Sequence, residues 1–213
     1  CLSLLCLKNL IVEVPRQRNP REENALIKAD AVPIDWAENK CRQKEVDARW
    51  TKKNNENHYG YKNHINADEA HKLAQDYAVT DAAVHDSQVF EVLLDQASQE
   101  DGNKRAVYAD SAYRSREHET TLAADNLPSQ ICEKGTRGHP LTDAQRTSNR
   151  VKSRVRARVE HVFGAQAQMG GHIVRTIGLE RAKVKIGMMN LVYNMKRLVQ
   201  LLRRDGTGAP AMA

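Results

Sequence analysis

A chain of 213 residues, of which 40% are hydrophobic, is long enough to bury one sizeable core, so we expect a single domain. Basic side chains outnumber acidic ones by 33 to 27, and the resulting net charge of +6 favours an anionic partner. An aromatic content of only 5% argues against base stacking along single strands, and the four cysteines lack zinc-binding or C-x-x-C spacing.

The N-terminal part predicts a strand followed by a polar insertion. Residues 2–14 form an apolar run, and the β-branched content of 9–14 is typical of a strand. The opening run fits neither a signal peptide nor a membrane span, so we expect a cytoplasmic protein with reduced thiols. Residues 15–57 are mostly charged and polar and are predicted to be an insertion. Within it, Asp35 and Glu38 resemble a capping box for a short helix.

The middle of the chain predicts a hairpin and then alternating helices and strands. The hairpin strands are expected over 58–66 and 72–80, with a turn at Asp68-Glu69. Asp86 or Ser87 could cap the following helix. That helix is expected to reach Ala97 and to end before residues 101–103. The elements predicted after it are a strand over 105–110, a helix over 115–126, a strand over 129–133 and a basic loop over 134–140. This order favours a mixed α/β sheet flanked by helices.

Residues 145–169 predict an amphipathic helix that carries one isolated acid. Its apolar stripe consists of Val151, Val155, Val159, Val162 and Phe163. Glu160 is the only acidic residue between Asp143 and Glu180, and it follows six cations: Arg146, Arg150, Lys152, Arg154, Arg156 and Arg158. At about 100° per residue, Arg150, Arg154 and Arg158 form one column and Lys152, Arg156 and Glu160 another. We therefore expect Glu160 to lie beside the core and not in solvent.

Two interpretations of this helix remain open. In the first, Glu160 pairs with Arg156 for about 0.2–0.5 kcal/mol and the arginines form a solvated face. In the second, the arginines follow a phosphate backbone and Glu160 holds a cation, which requires another carboxylate. Asp110, at the end of a predicted strand, could supply it or could simply cap the next turn. Two carboxylates on separate rigid elements would suit Mg²⁺.

The C-terminal part predicts an extended segment over 172–177 and a long helix over 179–202. Its apolar positions indicate a surface that packs on the core or on a partner helix. Residues 205–213 are small and are expected to form a flexible tail.

Five ordered blocks carry a family resemblance. They are D-A-R-W-T-K-K (47–53), H-Y-G-Y-K-N-H-I-N (58–66), A-V-T-D-A-A-V-H-D-S (78–87), V-Y-A-D-S-A-Y (107–113) and V-R-A-R-V-E-H-V-F-G (155–164). Together they resemble the catalytic domain of bacterial insertion-sequence DDE transposases, in the group named after insertion sequences four and five. The likeness covers about residues 11–202, so we predict a catalytic domain over 1–204.

The resemblance implies a ribonuclease-H-like fold whose three carboxylates bind two Mg²⁺ ions, with Mn²⁺ as an alternative. Asp110 matches the second aspartate and Glu160 the glutamate, so both are expected catalytic and metal-binding residues. The implied partner is double-stranded DNA at element ends and target, bound by a homo-oligomer without a membrane role. The expected DNA contacts are Arg150, Arg154, Arg156, Arg158 and Lys62.

The sequence departs from the family pattern at the first aspartate. The family carries it shortly before the stretch matched by 11–14, where this chain has Leu7-Lys8-Asn9-Leu10, and no Asp precedes Asp30. Lys8 cannot ligate Mg²⁺. Ser153 and Ala167 also replace a tyrosine and a lysine of the glutamate-helix signature. A truncated or frame-shifted copy would explain the lost aspartate, the apolar cysteine-containing opening and the missing initiator methionine. We therefore expect impaired catalysis or, alternatively, a DNA-binding remnant that competes for DNA or joins intact enzyme.

Overall fold

A five-stranded sheet forms the centre of the computed structural model, which describes residues 5–68, 70–95 and 106–204. The strands are β1 (Leu5–Glu13), β2 (Arg49–Lys53), β3 (Glu56–Asp68), β4 (Ala74–Asp81) and β5 (Val107–Tyr108). The sheet order is β2-β3-β1-β5, and β4 pairs with β3 beyond the end of β2. β3 runs antiparallel to β1, β2 and β4, whereas β5 runs parallel to β1. The sheet is therefore mixed, as predicted.

Helices cover both faces of this sheet. They are α1 (Arg21–Lys28), α2 (Glu38–Gln43), α3 (Phe90–Asp95), α4 (Arg116–Ala124), α5 (Asp143–Gln168) and α6 (Leu179–Arg204), with 3₁₀ turns at Asp86–Val89 and Ser111–Tyr113. Ile65 and Ala67 of β3 pack against α5 and α6. α3 and α4 build a second core around Phe90 and Leu122. No helix of the described residues has the length and apolar character needed to cross a membrane.

The polar segment predicted as an insertion is joined to the rest of the domain at several points. It contains α1, α2 and β2, an edge strand of the sheet, and reaches the start of β3. Ile27, Trp36 and Ala48 are buried. Glu45 Oε2 accepts a hydrogen bond from the Gly178 backbone N–H at 2.9 Å, and Asp47 Oδ2 accepts one from Leu179 at 2.7 Å. These carboxylates satisfy amides at the start of α6, where the helix dipole favours negative charge.

Most predicted elements are confirmed, but two helix caps are wrong. The N-cap of α2 is Ala37, without a side-chain hydrogen bond, so Asp35 forms no capping box. The turn at Asp86–Val89 is capped by His85, whose side chain accepts from the Ser87 N–H. The predicted strand over 129–133 is reduced to a single bridge between Ser129 and Val107. The predictions for Glu69, Ala97, 101–103, Arg105 and 205–213 lie outside the described residues.

The apolar stripe of α5 is confirmed only in its second half. Val159, Val162 and Phe163 are buried against the sheet. Val151 is 58% exposed, so its predicted burial is wrong. The first half of α5 is held by polar contacts to residues 131–133 from Asn149 and Lys152, which leaves Val151 facing solvent.

Candidate active site

Asp110 lies where the chain leaves β5. Tyr108 ends the strand, Ala109 is buried, and Asp110 turns the chain into the 3₁₀ turn Ser111–Tyr113. Its Oδ1 accepts a hydrogen bond from the Ser111 backbone N–H at 2.7 Å, so the residue also fulfils the capping role considered for it. The Asp110 side chain is 54% exposed, which leaves its carboxylate accessible from solvent.

Arg156 connects α5 to this carboxylate. Its Nη2 donates to Asp110 Oδ2 at 3.0 Å, and its side chain is only 14% exposed. One turn earlier on the same helical column, Lys152 Nζ donates to the Ile131 carbonyl at 2.9 Å. This column of α5 therefore faces the end of β5, and a charge-assisted hydrogen bond fixes the guanidinium on Asp110.

Glu160 follows Arg156 by one helical turn, about 6 Å along the axis and roughly 40° around it. The prediction that Glu160 lies beside the core is wrong, because its side chain is exposed. The neighbouring Val159 and Val162 take the buried positions, so Glu160 stands at the rim of the helix, where it lines a shallow open cavity with His161 and Gly164. A rim position is open to a ligand that approaches from solvent.

Comparison with known proteins identifies the family. The model of the family described as "Transposase DDE domain" matches residues 26–195, well over half of the chain. This chain belongs to the transposase DDE domain family. The matched region includes Asp110, Arg156 and Glu160 and begins after β1.

A curated relative agrees with this assignment. The transposase for insertion sequence element IS1106 of Neisseria meningitidis serogroup B is 36% identical over 121 residues. The alignment covers 57% of this transposase domain but 40% of the relative, so the chain matches less than half of that protein's length. No solved structure matches the chain.

The arginines predicted to contact DNA differ in their surroundings. Arg150 and Arg154 are exposed on α5. Arg156 is engaged with Asp110, and the side chain of Arg158 lies outside what the structure describes. Lys62 is 8% exposed, and its Nζ donates to the Val84 carbonyl at 2.7 Å and to Asp86 Oδ1 at 3.1 Å. A DNA contact by Lys62 stays a prediction and would require its ammonium group to leave these two oxygens.

Asp86 belongs to the same region of the transposase domain, although the sequence indicated only a helix cap there. Its Oδ2 accepts a hydrogen bond from the Asn9 side chain of β1, and its Oδ1 accepts one from Lys62 of β3. Burial raises the pKa of the Tyr113 hydroxyl, and the negative charges of Asp86 and Asp110 raise it further. The available signal was the position of Asp86 in the matched block 78–87. Its partners, however, lie 77 and 24 positions away along the chain.

The carboxylates of this site fit a divalent cation only in part. Asp110 and Glu160 offer hard oxygen donors of the kind that Mg²⁺ prefers. β1 and β5 pair in parallel at Leu5–Val107 and Cys6–Tyr108, and two residues further along each strand come Lys8 and Asp110. The described part of the chain contains no group of three or more His, Cys, Asp or Glu side chains arranged to hold a metal ion. Lys8 does not supply the third carboxylate of the family pattern.

Proposed function

We propose that this chain is the catalytic domain of a DNA transposase, with Asp110 and Glu160 in its active site and with impaired chemistry because Lys8 stands where the family has an acid. The observation that carries the proposal is the 3.0 Å hydrogen bond from Arg156 to Asp110. This contact holds the column of α5 that ends in Glu160 against the end of β5. Because Glu160 follows Arg156 by one helical turn, we propose that these two acids, 50 positions apart in sequence, act on the same side of the domain.

The sheet supports the ribonuclease-H-like fold implied by the resemblance. β4, β3 and β1 pair antiparallel in that order, and β5 joins β1 in parallel after the helical segment around α3. The ends of parallel strands are where α/β proteins commonly build their sites. Asp110 at the end of β5 is consistent with that rule. The domain boundaries, 1–204 with an insertion over 15–57, are part of the proposal.

Each residue of the proposed site has a separate task. Asp110 and Glu160 would bind the divalent cation, which we propose to be Mg²⁺ with Mn²⁺ as an alternative. When bound, the cation would promote attack of a water or a 3′-hydroxyl on a DNA phosphate. Arg156 orients Asp110 and balances its charge. Arg150, Arg154 and Arg158 would contact the phosphates of double-stranded DNA. The affinity of the domain for DNA should then fall as the salt concentration rises.

Replacing Lys8 tests the proposal directly. We expect the chain to nick supercoiled plasmid weakly or not at all in Mg²⁺. Lys8→Asp should raise nicking by at least tenfold, because it adds a carboxylate to the strand beside Asp110. Lys8→Ala is the matched control, since it removes the ammonium group without adding a ligand. In the Lys8→Asp background, Asp110→Asn or Glu160→Gln should abolish the gain. Nicking that survives both changes would remove these two acids from the site.

A non-catalytic DNA-binding remnant is the alternative, and Lys8 together with the exposed Arg150 and Arg154 favours it. For either function, Arg154→Ala should weaken duplex DNA binding and reduce the slope of log affinity against log salt by about 1. Arg42→Ala is the control, because Arg42 is an exposed arginine of α2 paired with Glu38. Fluorescence anisotropy over a salt series measures the DNA affinity and its salt dependence. An equal loss of affinity in Arg154→Ala and Arg42→Ala would contradict a specific contact between α5 and DNA. Failure of Lys8→Asp to restore nicking, with the α5 contact retained, would favour the remnant.

A further inference from the structure

The outer face of α6 carries a regular row of exposed apolar side chains, called here the outer seam. The outer seam consists of Val184, Met188, Leu191, Met195, Leu198 and Leu202, with exposures between 43% and 65%. The members are separated by four, three, four, three and four positions, which is the a/d spacing of a coiled coil. Val192 and Val199 extend the apolar surface beside it and are also exposed.

The inner face of α6 is already used by the domain itself. Ala182, Ile186 and Tyr193 are buried against the sheet and α5. Asn190 fixes this contact, because its Oδ1 accepts hydrogen bonds from Asn63 and Gln166, each at 2.8 Å. A helix that is apolar on both sides normally has a packing partner on both sides. The hydrophobic clusters of the described residues include the inner face of α6, whereas the members of the outer seam belong to none of them and stay 43–65% exposed.

The outer seam is large enough for a stable interface. Full burial of a Val, Leu or Met side chain removes roughly 60–120 Å² of apolar surface from water, so the eight half-exposed side chains offer roughly 250–500 Å² on one copy. Monomers seldom expose apolar patches beyond a few hundred Å². Two copies would together bury roughly 500–1,000 Å² of apolar surface. Because about two-thirds of such an interface is apolar, the total buried area would be roughly 800–1,500 Å². This overlaps the range of specific complexes.

The outer seam is complementary to itself when a second copy is placed antiparallel. Val184 would face Leu202 of the second copy, Met188 would face its Leu198, and Leu191 would face its Met195. Each of these pairs is centred on position 193, as a two-fold interface requires. The antiparallel direction also places the N-terminal end of one α6, where Arg181, Lys183 and Lys185 accompany Glu180, beside the more basic C-terminal end of the other, so the helix dipoles favour this direction and the side-chain charges do not. A parallel pair would instead place the two basic ends together.

We propose that two copies of this chain associate through their outer seams as an antiparallel α6 pair with its two-fold axis near position 193. The dimer follows from α6 alone and does not depend on whether the candidate active site is functional.

Light scattering on the full chain tests the interface. The wild-type protein should have twice the 24.0 kDa chain mass at micromolar concentration and above. Leu191→Glu combined with Leu198→Glu should give the single chain mass, because burying these carboxylates in the seam is costly. Far-UV circular dichroism should stay unchanged, since both side chains are exposed in one copy. Ile34→Glu is the control at a 96% exposed apolar position outside α6 and should leave the dimer intact.

Cysteine pairing tests the orientation in a background whose native cysteines are replaced by serine. Leu191→Cys protein mixed with Met195→Cys protein should form disulfide-linked dimers faster than either variant alone. The proposal is overturned if the wild-type chain is monomeric at all concentrations, if the double glutamate variant remains dimeric, or if Leu191→Cys cross-links with itself faster than with Met195→Cys.

Discussion

His64 is fully buried on the face of β3 that also carries Lys62. Its Nε2 lies 3.0 Å from Thr80 Oγ1, and its Nδ1 has no hydrogen-bond partner among the described residues. Burial lowers the pKa of His64 to about 4; Lys62 adds to this effect and Asp86 opposes it. The imidazole is therefore neutral at pH 7, and protonating it would place a second cation beside Lys62.

This histidine should make stability fall in acid. The pKa of His64 is lower in the folded chain than the ordinary value of 6.5, so the unfolded state takes up the proton first as pH falls. Stability is lost from about pH 6.5 towards pH 4, and the loss at pH 5 is about 2 kcal/mol. His64→Gln should remove that part of the decline. Urea unfolding of both proteins at pH 7 and pH 5 measures it, and an equal decline in the two would refute the assignment to His64.

At the scale of elements, Gly60 of β3 leaves no room for a side chain against the backbone of β1. A Cβ at this position would lie 2.1 Å from the Val12 carbonyl oxygen, which belongs to the backbone and cannot rotate away. Gly60→Ala should therefore cost about 1–3 kcal/mol of unfolding free energy. Gly164→Ala on α5 is the matched control, because nothing lies within 4 Å of its added methyl group. Alanine is the better helix former, so that variant should gain up to about 1 kcal/mol. Chemical denaturation measures the unfolding free energy of both variants, which should fall for Gly60→Ala and rise for Gly164→Ala.

Sequence periodicity predicted the long elements well because each has a buried face of its own. The hairpin β3–β4 and the helices α4, α5 and α6 appear near their predicted positions. The caps at Asp35 and Asp86 were wrong, because a cap depends on backbone dihedral angles that the residue type alone does not fix. Glu160 was predicted beside the core, yet neighbouring valines occupy the buried positions of α5. A helical wheel gives the angle between side chains but not which angle faces the sheet.

At the scale of the whole molecule, contacts between distant segments are what sequence reasoning could not reach. Asp110 was recognisable as an acid at a strand end and Glu160 as the isolated acid of a cationic helix, and the family resemblance assigned both to one site. Asn9 and Lys62 both donate hydrogen bonds to the Asp86 carboxylate. These two donors come together only because β1 pairs with β3 and because the turn at Asp86 lies beside them. Lys62 was expected to contact DNA because the sequence does not show that Val84 and Asp86 surround its ammonium group. Its burial is visible only after the hairpin is folded against β1.

The hydrogen bonds from Gly178 and Leu179 to Glu45 and Asp47 have a consequence for any shortened version of the domain. They tie the polar segment 15–57 to the first turn of the last helix, across more than 130 positions of sequence. A minimal fragment made by cutting out that segment would leave these two backbone amides without their acceptors and Tyr61 without the acceptor of its hydroxyl proton. The segment therefore stabilises the start of α6 and the core around Tyr61, and a smaller version of the domain should retain it.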